Sequence, residues 1–225
     1  MPNPLIILTL ALGLTLVGCS KKTPPPEPTQ TPPPATATPP AEPTAAPEAT
    51  DSELDNKKKA MEFALKEDAI KNDPKGQWAI KATASSSFAS DLNDLQAGYH
   101  PMQATGAPNV ASYSDDSNSW ASKDPDTGIE WLEVEYAKAV NASEIRIRQS
   151  HAPGAIVKVE AFDETGTART VWSGPDTTSY PSNQISWLNV PIQPGTLKTQ
   201  KIKITLATNM ISGWNEIDAV QLIGE

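Results

Sequence analysis

Between residues 130 and 206 apolar and polar side chains alternate repeatedly with a period of two. In "EWLEVEY" (130–136), Leu132, Val134 and Tyr136 alternate with Glu133 and Glu135. In "SEIRIRQ" (143–149), Ile145 and Ile147 alternate with Arg146 and Arg148, and in "KIKITLAT" (201–208), Ile202, Ile204 and Leu206 alternate with Lys201 and Lys203. Successive side chains of a strand point to opposite faces, so this period places one face of each segment in a core and the other outside it. "IVKVEAF", "ARTVWSG" and "QISWLNV" fill the intervals, with turn-forming stretches "HAPG", "DETG", "SGPD", "QPG" and "NMISG" between them. Short strands at such spacing predict an antiparallel sandwich or barrel. The last segment, 214–223, is apolar on both faces, as a central strand would be.

The rest of the chain cannot share this fold. Eleven of the 22 prolines lie between Pro24 and Pro47, whereas all six tryptophans lie beyond residue 75. Large apolar side chains mark a core, so one globular unit is expected over residues 76–225. About 150 residues bury around 70% of their unfolded surface and need no disulfide. Net charge is −9, and residues 76–225 carry 17 acidic against 10 basic side chains. That balance argues against nucleic acid or an anionic membrane surface as partner.

Residues 5–17, "LIILTLALGLTLV", are apolar, uncharged and short for a membrane span. "LVGCS" follows, with Cys19 the sole cysteine. This resembles a bacterial lipoprotein signal peptide (1–18) and its lipobox, which implies cleavage before Cys19 and acylation of that residue. "MPNPL" lacks the usual Lys or Arg of such a leader. Several acyl chains anchor stably where one does not. Ser20 after the cysteine, rather than Asp, implies by the same resemblance sorting to the outer membrane. Residues 19–50 then form a lipidated, Pro-rich linker, which cannot bury enough surface to offset its ordering entropy and is expected to be disordered or extended. At roughly 3.1 Å per residue in polyproline II it reaches on the order of 90 Å. Residues 51–75 are expected to hold one short helix, capped by Asp51 or Ser52 and stopped by "NDPKG", with Leu54, Met61, Leu65 and Ile70 as a thin apolar stripe.

Within 76–225, "KATASSSF", "QATGAPNV", "DDSNSWAS", "EWLEVEY", "AIVKVEAFD" and "GWNEIDAVQL" occur in an order and spacing that resemble the discoidin-like members of the galactose-binding-like jelly rolls. The resemblance implies an all-β, antiparallel jelly-roll β-sandwich, and ligand binding by loops at one end. It further implies a structural calcium ion, whose positions fall here on Asp115 or Asp116, Ser119 beside Trp120, and Glu216. Calcium prefers six to eight hard oxygen ligands, many of them carbonyls. The alternative is that Glu216 accepts N–H bonds from that loop with no metal. Asp218 is expected to pair with Lys or Arg.

No catalytic constellation stands out: GxSxG, HExxH and P-loop motifs are absent, and "DPDTG" (124–128) lacks the glycine of an EF-hand loop at its sixth position, Ile129. Alternation of strand direction brings loops 115–128, 150–155, 174–182 and 208–213 to one end. There Arg148, His151, Tyr180 and Trp214 are the candidate ligand-binding residues. Flat rings with polar groups suit sugars. The expected function is a lipid-anchored, non-catalytic envelope binding module for glycan or cell-wall material. The alternative is a structural lipoprotein that docks an envelope protein.

Overall fold

The computed structural model describes residues 50–225. The expected signal peptide, Cys19 and residues 20–49 of the linker lie outside the described residues. Residues from Ala49 to Glu225 form one compact unit. The helix packs against the sheets within this unit.

That helix, α1, spans Asp51–Lys71. Thr50 caps it, with Glu53 reaching back in a capping box that satisfies two otherwise unpaired N–H groups. Eight strands follow: β1 (Gly76–Trp78), β2 (Lys81–Ala84), β3 (Ile129–His151), β4 (Ile156–Phe162), β5 (Ala168–Ser173), β6 (Ser186–Pro191), β7 (Lys198–Ala207) and β8 (Glu216–Gly224). All the pairings are antiparallel.

β3 belongs to both layers. Its first half pairs with β2 and β7, and β7 continues to β4 and β5. An irregularity between Glu135 and Val140 bends the strand. Its second half then pairs with β6 and β8, and β8 with β1. The fold is thus an antiparallel β-sandwich. Leu132, Val134, Ile202, Ile204 and Val159 of one layer meet Ile145, Ile147, Val190, Val220 and Leu222 of the other in a single core. The alternation in the sequence is the alternation of this interface.

β8 is buried along nearly its whole length, on both faces. Its inner face joins the core. Its outer face is covered by the last turns of α1 and by the Arg148 side chain from β3. The Gln221 amide donates to the Ile70 carbonyl at 2.9 Å, and Arg146 of β3 bonds Asp73 just beyond the helix at 2.9 Å. Phe63, Glu67 and Ile70 face the sandwich. The expected stripe does not: Leu54, Met61 and Leu65 are exposed. Only Ile70 of that stripe is buried. The helix is rotated by the charged groups beneath it, because a buried arginine needs an anion more than a few methylenes need cover.

Candidate functional site

Strand register brings most of the long connections to one end of the sandwich. Ile129 opposes Ala207, Ile156 opposes Leu206, Gln149 opposes Ser186 and His151 opposes Glu216. The segments 85–128, 152–155, 174–185 and 208–215 therefore all leave from this end. Trp120, fully buried, anchors the longest of them: its backbone exchanges two hydrogen bonds with Ile217, and its indole donates to the Ser86 carbonyl at 3.1 Å.

Glu216 opens β8 beside this anchor and is 1% exposed. One carboxylate oxygen accepts from the Asp116 amide at 3.2 Å and from the Ser150 hydroxyl at 3.5 Å. The other, Oε1, is buried with no partner. Burial, and then the neighbouring carboxylate of Asp115, push its pKa up to about 8. Asp115 in turn accepts the Tyr99 hydroxyl at 2.6 Å. An orphaned carboxylate oxygen beside a second carboxylate is a donor set that fits a cation. The other two expected ligands are turned elsewhere. The Asp116 carboxylate binds the backbone and side-chain nitrogens of Asn118, and the Ser119 hydroxyl lies 2.6 Å from that of Ser150. Among the described residues no three His, Cys, Asp or Glu side chains are grouped as metal ligands.

The four residues expected to bind ligand are spent on internal bonds. Arg148 is 3% exposed. It is paired with Glu67 at 3.1 Å and with Asp218, and it donates to the Val110 carbonyl at 2.9 Å. Glu67 also accepts the Trp187 indole N–H. Burial pushes the Asp218 pKa up and Arg148 draws it back. Arg148 is thus a buried clasp between α1, β3 and β8, its guanidinium turned onto Glu67, Asp218 and the Val110 carbonyl. His151 donates to the Trp214 carbonyl at 3.0 Å, the Trp214 indole donates to the Ser122 carbonyl at 3.1 Å, and the Tyr180 hydroxyl is bonded to Asp176 and Gln149.

What the loop end does present is a second set of rings. Phe88 is 49% exposed. It is held edge-on between Tyr99 and Trp214, each with its ring centroid 5.2 Å away. Of the three, only Trp214 is among the residues expected from the sequence. Phe88 and Tyr99 lie in the long irregular stretch between β2 and β3, where periodicity carries no signal.

Fold and loop end together define the class: an antiparallel β-sandwich with loops and exposed rings at one end. Residues 67–225 match the family described as Pappalysin-1, SD scarf domain, C-terminal, and the chain belongs to that family. No curated protein matches it. Among solved structures it is similar to a family 32 carbohydrate-binding module from C. perfringens NanJ in complex with galactose, at 17% identity, with a TM-score of 0.45 over 65% of this chain and 98% of that one. It is similar also to chitosan-binding module 1 of a chitosanase/glucanase from Paenibacillus sp. IK-5, at 13% identity and a TM-score of 0.44, over 64% of this chain and 94% of that one. XRCC1, solved bound to the DNA pol beta catalytic domain, gives 12% identity and a TM-score of 0.47, over 67% of this chain and 99% of that one.

Proposed function

We propose that this chain is a lipid-anchored, non-catalytic binding module of the cell envelope, and that it takes glycan at the loop end of the sandwich. The observation that carries the reading is the half-exposed Phe88, braced between Tyr99 and Trp214. A fixed ring with an open face covers the C–H face of a sugar at little entropic cost, whereas a mobile one would have to be ordered on binding. Cys19, in "LVGCS", supplies the anchor, and the Pro-rich segment after it tethers the domain to that anchor.

A calcium ion belongs to the same proposal. Glu216 and Asp115 would hold it, with carbonyls of the 113–120 loop completing its oxygen shell. Bound there, it supplies positive charge that keeps both carboxylates ionised and ties the loop to β8. Asp115 accepts the Tyr99 hydroxyl, and Tyr99 braces Phe88, so loop order at Glu216 reaches the exposed ring.

The test is a glycan array probed with the full chain and with Phe88→Ala. Wild type is expected to retain a defined set of glycans and Phe88→Ala to lose them, by roughly tenfold or more in affinity. An array on which wild type binds nothing, with calcium present, ends the reading.

A further inference from the structure

Four polar side chains without an internal partner line a separate cleft. Between α1 and the loops at 111–113 and 183–185 lies a cleft of about 390 Å³. Phe63 of the helix, Tyr113 and Ile185 form its apolar wall. Asn56, Lys59, Asn183 and Gln184 also line it. Among the described residues no hydrogen bond or ion pair engages any of these four side chains. Arg148, His151, Tyr180 and Trp214, by contrast, each make internal hydrogen bonds.

The walls are fixed. α1 is clasped at Glu67 by Arg148 and Trp187, one turn beyond Phe63. The Tyr113 hydroxyl accepts from the Ala152 amide at 3.3 Å, and its ring packs on His151 with centroids 5.1 Å apart. Asn183 holds a left-handed backbone with φ of 57°, a conformation Asn tolerates better than most residues. The cleft continues past Phe63 into a shallower basin bordered by Glu62, Lys66 and Pro181.

The chemistry of the walls selects the ligand. Two rings and an isoleucine suit the C–H face of a ring, and three amides suit hydroxyls, each of which both gives and takes a hydrogen bond. Among the residues that line the cleft and its basin, Lys59 and Lys66 face the carboxylate of Glu62. In a chain of net charge −9 this is a local reversal of sign. We infer that the cleft between α1 and the loops is a second glycan seat, specific for a carboxylated sugar such as a uronate. This rests on the glycan-binding reading and adds to it a separate subsite and a class of sugar. The helix then contributes one wall of a binding site.

The experiment titrates the full chain with a galacturonate trisaccharide and with a neutral galactose trisaccharide, using wild type, Lys59→Gln, Phe63→Ala and Phe88→Ala. Wild type is expected to prefer the uronate by about tenfold, the size of one charge-assisted hydrogen bond. Lys59→Gln removes the preference and leaves the neutral sugar unaffected. Phe63→Ala weakens the uronate by about fivefold or more; an unchanged melting midpoint shows that it folds, and the exposed Lys59 decides the matter if it does not. Uronate binding retained by both cleft variants and lost in Phe88→Ala overturns the second seat while sparing the glycan-binding reading. No preference for uronate in wild type also overturns it. Binding of neither sugar by wild type, with an empty array, overturns both.

Discussion

Replacing Glu216 by glutamine changes one oxygen for an NH₂ group and removes the charge. The folded chain holds the Glu216 proton far more tightly than the unfolded chain, since its pKa is raised from 4.5 to about 8. A raised carboxyl stabilises the fold fully below pH 4.5 and loses that contribution as pH climbs through 8. At about 1.4 kcal/mol per pH unit the ceiling on this loss is about 5 kcal/mol. Water at the loop edge and a moderate effective dielectric reduce it to about 2–3 kcal/mol. For a domain of this size that corresponds to roughly 4–12 °C in Tm. The assay is a set of melts from pH 5 to 9 in chelator, for wild type and Glu216→Gln, repeated with added Ca²⁺. In chelator the wild-type curve should fall with pH and the variant should stay level, becoming the more stable of the two at pH 8. Calcium should level or reverse the wild-type slope, because it binds the folded, ionised state alone, and should leave the variant unchanged. Parallel curves for the two proteins in chelator would refute the buried-carboxyl reasoning. A wild type indifferent to Ca²⁺ would refute the ion.

Arg148→Met should cost about 3–5 kcal/mol in urea unfolding, since it leaves Glu67 and Asp218 buried without their cation. Adding Glu67→Gln should return part of that loss, and a double variant as unstable as the sum of the singles would show that the two do not interact. Cys19→Ser should move the protein from the membrane fraction to the soluble one on cell fractionation; a mutant that stays in the pellet ends the lipid anchor.

The strands are legible because their signal is local. Leu132, Val134, Ile202 and Ile204 each state their face within two residues, and a sheet preserves that statement whatever pairs with it. The doubly apolar run at 214–223 correctly marks an inner strand, which lies between β1 and β3. Glu216 is legible for a related reason: a carboxylate in an apolar run must have a purpose. Arg148 is misleading. Alternation places it on the outer face of its strand, and an outer face is normally wet. Nothing in "SEIRIRQ" announces that Glu67, on a helix 81 residues upstream, will cover it. Leu54, Met61 and Leu65 mislead for the same reason, seen from the helix.

Sequence by itself therefore determined the alternation, the all-β class, the direction of each strand and hence the end at which the loops gather, since these follow from side-chain period and chain reversal. Tertiary structure alone decided which polar groups are used up and which remain available. Glu67 meets Arg148 across 81 residues of chain, Trp214 lies against Phe88, and Tyr113 stands across a cleft from Phe63. Such pairs are set by the rotation of one helix and the folding back of long loops. Both depend on the balance of buried charge and packing over the whole molecule, which no short stretch of residues encodes.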